Sequence, residues 1–157
     1  MASRSTHRSE RGFDIANSFY DAFLDGILGE HATRVDLDAD TIKMALCDNG
    51  GADGAPVAAT DDFWDDQDAN VIGTPYTLAA KTIGTVGPGV FDNTTDPAPA
   101  FTAVSGATVE VLNFFKDTGT PSTSNLICWF DTATGLPLTP NGGDVNVTFN
   151  ASGIFKV

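Results

Sequence analysis

Histidine and cysteine are scarce, with two of each in 157 residues. His7 and His31 stand apart from any serine or cysteine motif, and no G-x-S-x-G occurs, so a serine- or cysteine-based nucleophilic site has no sequence support. The chain also lacks C-x-x-C and H-x-x-x-H, which removes the usual spacings of a structural zinc site. Cys47 and Cys128 each sit inside a strand-like apolar run and read as two buried free thiols rather than a disulfide. No nearby cation would make either thiol reactive. Apolar runs fall far short of the ~20 residues that cross a bilayer, and Ser3–Arg11 is too polar for a signal peptide. Synthesis in a reducing cytoplasm, with no membrane partner, is the expectation.

Basic residues are few as well: 8 against 21 acidic ones, a net charge of −13. Their placement is uneven. Residues 1–11 carry Arg4, Arg8 and Arg11 against Glu10, a local charge of +2, which leaves −15 on the remainder. Such an acidic body repels phosphate backbones, so the folded domain is not expected to bind nucleic acid. The arm itself suits an acidic surface, on nucleic acid or on a protein.

What is present is the pattern of a mainly β domain. Sixteen glycines and eight prolines punctuate short apolar runs, mostly in the second half. Residues 41–46 alternate, with Ile42, Met44 and Leu46 on one face; further strands are expected at 75–86, 89–92, 107–116, 125–131, 144–149 and 153–157. Phe114–Phe115 and Trp129–Phe130 are adjacent apolar pairs, so both faces of those strands should meet apolar surroundings. The expected architecture is an antiparallel β-sandwich or barrel-like domain, with one N-terminal amphipathic α-helix and a polar N-terminal arm. The boundaries are 1–12 for the basic extended arm, 13–29 for the helix and 30–157 for the β-rich part, helix and β part forming one domain.

The helix assignment rests on Phe13, Ala16, Phe19, Tyr20, Phe23, Leu24, Ile27 and Leu28, which recur at helical spacing before Gly29. Two roles for this aromatic stripe stay open: covering the domain's own sheet, or docking on a neighbouring subunit. Residues 48–60 (DNGGADGAPVAAT) read as a flexible loop. Residues 61–68 read as a short acidic helical turn pinned by Phe63 and Trp64.

Candidate chemistry fails at named residues. Asp36-x-Asp38-x-Asp40 starts like a calcium loop, but Thr41 stands where glycine should turn the chain and Cys47 where a bidentate Glu should close it. Five carboxylates within 61–68 suit hard cations, yet a solvated face, or one complementary to a basic partner, explains them without metal. Gly84-Thr85-Val86-Gly87-Pro88-Gly89 has no following lysine, and Pro88 removes a donor, so it is no phosphate loop. No catalytic, metal or cofactor-binding residue is assigned, and the chain is expected not to be an enzyme. Partner-binding candidates are Arg4, Arg8, Arg11, Phe13, Phe19, Tyr20, Phe23, Phe63 and Trp64.

The order of elements carries a resemblance. After the N-terminal helix come "LDADTIKMALC", "DDFWDDQDANVIG", "YTLAAKTI", "VFDNTTDPAPAFTAVSGATVEVLNFFKDTGTPSTSNLICWFD" and "GGDVNVTFNASGIFKV". Over residues 13–157 this resembles small structural proteins of tailed bacteriophages, encoded among head and tail genes. Leu37, Asp40, Ile42 and Leu46 match the first strand, Phe63 and Trp64 an aromatic knuckle, Lys116–Gly119 with Ser124 and Leu126 a strand–turn–strand hinge, and Gly153–Phe155 the closing strand. The basic arm is not part of that pattern. The resemblance implies a capsid decoration, or cement, protein on the virion's capsid exterior. Its implied partners are the major capsid protein and copies of itself, as a homotrimer. A tail, baseplate or head–tail subunit is the alternative it leaves, and a carbohydrate-binding β-sandwich using Trp64 or Trp129 is a third reading.

Overall fold

Alternation in Ile42–Cys47 (β2) places Ile42, Met44 and Leu46 on one face of a strand and Ala45 and Cys47 on the other, all buried. The computed structural model describes residues 17–29, 34–95 and 100–157. Preceding β2 are Ser18–Phe19 (β1) and the helix Asp21–Leu28 (α1); following it are Val71–Thr77 (β3), Lys81–Ile83 (β4), Val90–Asn93 (β5), Val111–Lys116 (β6), Leu126–Phe130 (β7) and Phe155–Lys156 (β8). They form two antiparallel sheets, a five-stranded one in the order β1-β7-β6-β2-β3 and a three-stranded one in the order β4-β5-β8. The architecture is mainly β and sandwich-like, with one helix near the N-terminus, as the sequence implies.

Both faces of the five-stranded sheet are covered. One face joins Met44, Leu46, Leu112 and Phe114 to Phe91 of the second sheet. The opposite face holds Ala45, Cys47, Val111, Phe115, Leu126 and Trp129, with Tyr20 and Trp64 closing over them. A register shift in the β6–β7 ladder pairs Phe114 with Cys128 and Phe115 with Leu126, leaving Ile127 as an extra residue that joins Cys128 on the inter-sheet side. Cys47 and Cys128 are buried and free.

The N-terminal helix is shorter than its periodicity suggests. Asp21–Leu28 is helical, but Ser18 and Phe19 pair with Trp129 and Cys128 at the edge of β7. The physical reason is that residues 19 and 20 satisfy a two-residue alternation equally well. Phe19 turns to the inter-sheet cluster and Tyr20 to the opposite one, while the pairing covers an otherwise open sheet edge. Asn17 anchors the start, its side-chain oxygen accepting from the Asp131 and Thr132 N–H groups at 3.2 and 3.3 Å. The portion of the expected helix before Asn17 lies outside the described residues.

Two other expectations change. Residues 144–149 alternate as foreseen, Val145, Val147 and Phe149 half-buried between exposed neighbours, but they are not a named strand; among the described residues Val145 bridges to Phe101. Residues 75–86 are two strands in different sheets, the chain crossing over after Thr77. Residues 48–60 are tied down rather than loose. The Asn70 amide donates to the Gly54 carbonyl at 2.6 Å and accepts from the Asp53 N–H at 3.0 Å, and Asp53 accepts from the Ala69 N–H at 2.8 Å. Gly51 permits this approach, since a Cβ there would fall 2.2 Å from the Asn70 side-chain oxygen.

Candidate interaction surface

The 61–68 segment folds as two short 3-10 turns, Trp64–Asp66 and Asp68–Asn70. Its carboxylates divide by role. Asp66 accepts from the Asp62 and Phe63 N–H groups at 2.9 and 3.1 Å, and Asp61 accepts from the Val57 N–H and the Gln67 amide, each at 2.9 Å. These two shape the turn. Asp62 instead borders a cleft of about 480 Å³ with Asp21, Ala22 and Asp25 of α1, Ala59, Phe63 and Asn125. The Phe63–Asn125 bridge and the Asp21 N–H to Ala58 carbonyl bond, at 3.0 Å, hold its walls together.

The helix presents three strips, because successive residues lie about 100° apart around its axis. Phe23 and Gly26 face inward and are buried. Asp21 and Asp25, one turn apart, face the cleft. Leu24, Ile27 and Leu28 are 36%, 44% and 87% exposed. An apolar strip therefore lies beside an acidic one on the same short helix.

The aromatic candidates separate accordingly. Tyr20 and Phe23 belong to the chain's own core, at 0% and 3% exposure, and so present no surface to a partner. Phe23 stacks on Phe19 at 5.7 Å, and Phe19 meets Phe155 edge-on at 5.1 Å, which fastens α1 to the second sheet. Phe19 is half-buried in that cluster. Trp64 lies flat on Phe115, ring centres 4.1 Å apart and planes within 4°, and is buried. Trp129, also buried, packs on Tyr20 at 4.7 Å. Neither tryptophan offers a face for sugar stacking, which removes the basis of the carbohydrate reading. Of the aromatic candidates among the described residues only Phe63, half-buried, borders this cleft. Arg4, Arg8, Arg11 and Phe13 lie outside the described residues.

Beneath this surface runs a buried polar chain. Tyr20 donates its hydroxyl to the Asn113 side-chain oxygen at 2.7 Å; the Asn113 amide approaches the Cys47 Sγ and the Gln67 side-chain oxygen, both at 3.5 Å. Asn70 donates to Gln67 at 3.2 Å, and Gln67 donates to Asp61. Burial, reinforced by the Asp61 charge, pushes the Tyr20 phenol far above its ordinary range. Burial also pushes the Cys47 thiol up to about 12 and the Cys128 thiol well up, so both stay protonated and unreactive at neutral pH.

Elsewhere, the Asp36–Asp40 turn is a structural one: Asp36 accepts from the Ala39 N–H at 3.3 Å, and Asp40 accepts from the Asp36 N–H at 2.8 Å while pairing with Lys116 at 2.9 Å. A second concavity of about 420 Å³ lies between the sheet residues Leu46, Leu112 and Phe114 and the extended residues Val145 and Val147. No acid, base or thiol is among the described residues lining it, so it offers apolar burial without a proton-transfer group.

Asp21, Asp25 and Asn125 were not among the partner-binding candidates of the sequence, whereas Leu28 belongs to the stripe for which docking on a neighbour stayed open. The two aspartates carried a signal, their spacing along the helix; Asn125 carried none, since only the strand pairing brings it to the cleft. No family model matches the chain, and no curated protein matches it in sequence.

Proposed function

We propose that this chain is a non-enzymatic structural subunit that binds other protein subunits. In the specific form we propose, it is a decoration protein of a tailed-phage head, contacting the major capsid protein and copies of itself at capsomer junctions on the capsid exterior. The observation that carries the binding role is the divided helix. Phe23 anchors α1 to the core, while Leu28, at 87% exposure, stands with Ile27 and Leu24 in an outward apolar strip beside acidic residues. An interface that desolvates the strip and pairs the carboxylates at its rim has the usual anatomy of a protein contact. The phage setting is supported by the order of elements over residues 13–157 and agrees with the two-sheet body. Repetition on a symmetric lattice turns modest single contacts into strong retention.

The test is addition of purified protein to phage heads stripped of it. Stoichiometric binding in hundreds of copies with raised heat stability of the heads supports the proposal. Six, twelve or a few tens of copies at the tail would replace the decoration role, and no binding to any particle would remove the phage setting.

A further inference from the structure

We propose that Asn49 is a self-modifying position, losing its side-chain amide to attack by the Gly50 backbone nitrogen, while the fold preserves Asn141 in the same local sequence. The inference is independent of the binding role proposed above.

The chain contains two Asn-Gly-Gly triplets, Asn49-Gly50-Gly51 and Asn141-Gly142-Gly143. A glycine after asparagine has no side chain to hinder the approach of its nitrogen to the amide carbon. By sequence, then, both asparagines are open to cyclisation. The fold separates them.

At the second triplet the attacking nitrogen is locked into backbone pairing. The Gly142 N–H donates to the Val104 carbonyl at 2.8 Å, and the Val104 N–H donates to the Gly143 carbonyl at 2.8 Å. The Asn141 side-chain oxygen accepts from the Gly143 N–H at 3.0 Å, which anchors the amide too. Attack there would break the pairing and the anchor together.

The first triplet lies in a turn that the Gly51 N–H closes on the Asp48 carbonyl at 3.2 Å. Gly50 is exposed, and its N–H donates to the Asp48 carboxylate at 2.7 Å rather than to backbone. The Asn49 side-chain oxygen is buried without a hydrogen-bond partner. That state is costly and uncommon, and turning the amide toward Gly50 relieves it. Three successive residues thus supply a proton acceptor, an unanchored amide and a nucleophile.

The Gly50 nitrogen bonds to the Asn49 Cγ as its proton passes to the Asp48 carboxylate, the general base. The proton returns to the side-chain nitrogen as the Cγ–Nδ2 bond breaks, and ammonia leaves. Water then opens the cyclic imide at either carbonyl, giving aspartate or isoaspartate at position 49. No oxidant or reductant is needed. The product sets a new carboxylate near Asp48 and near Glu110, which accepts from the Asn49 N–H at 3.0 Å.

The test holds the full chain in warm neutral buffer made with isotope-labelled water and samples it over weeks by peptide mapping and tandem mass spectrometry. Position 49 is expected to exchange its amide for labelled oxygen at least tenfold faster than position 141. In urea the two rates come within a few-fold of each other, because the triplets are identical. Asp48→Ser removes the carboxylate without adding an amide, and lowers the rate at Asn49 several-fold with an unchanged circular dichroism spectrum. Equal rates in the folded chain, a faster Asn141 or an intact Asn49 would overturn the proposal. A tenfold difference that persisted in urea would overturn its structural basis, and an undiminished rate in Asp48→Ser would overturn Asp48 as the base.

Discussion

Tyr20 and Asn113 are 93 positions apart in the chain, yet the phenol donates to the Asn113 side-chain oxygen at 2.7 Å inside the core. This bond ties the residue that starts α1 to the central strand of the larger sheet.

Removing the hydroxyl tests that tie. Tyr20→Phe keeps the ring against Trp129 but leaves the buried Asn113 oxygen without its donor. Unfolding in urea should show a loss of about 1–3 kcal/mol, the cost of an unsatisfied buried acceptor. Unchanged stability would mean that the contact contributes nothing net.

Trp64 is a core residue by its packing on Phe115, although Asp62 and Asp65 close to it in sequence are acidic and exposed. Trp64→Ala should cost about 3–5 kcal/mol, the range for deleting a large buried aromatic. Glycan arrays should show no binding by the wild-type protein. A Trp64→Ala variant of normal stability that had lost a sugar ligand would restore the carbohydrate reading.

How much of this was legible beforehand depends on whether neighbours in sequence or in space decide the element. The alternation of Ile42, Met44 and Leu46 and the aromatic pairs at 114–115 and 129–130 announced a sheet covered on both faces, because each strand carries that pattern in itself. Ser18–Tyr20 satisfied two periods, and the open edge of β7 selected the strand. Val145–Phe149 kept its alternation outside any named strand, Val145 bridging to Phe101. The 48–60 loop is held from a distance by Asn70, and nothing in its glycine-rich composition records that. For the surface, acidic Asp62 and the ring of Phe63 were visible, whereas Asn125 gained meaning only from strand pairing.

Alkali should loosen the fold before mild acid affects the buried chain. Burial raises Cys47 from its ordinary 9.0 to about 12 and raises Tyr20 above its ordinary 10.0. A group whose folded value is raised contributes stability that is complete below its unfolded value and declines as pH climbs toward the folded one. Stability should be flat up to about pH 9 and then fall between about pH 9 and 12, by up to about 1.4 kcal/mol per pH unit for each group. Urea midpoints across that range measure it. Tyr20→Phe and Cys47→Ala each make the decline shallower, and a midpoint that held constant to pH 12 would contradict the burial argument.

The central claim, a binding subunit that works through the outward side of α1, is tested most directly by one comparison. Wild-type protein and a variant with Ile27→Asp and Leu28→Asp are each mixed with phage heads stripped of the native subunit, and retention is read by co-sedimentation. The account predicts that the variant keeps the wild-type circular dichroism spectrum and loses at least tenfold in binding. A folded variant that bound as well as wild type, or a wild-type protein that did not bind, would contradict it.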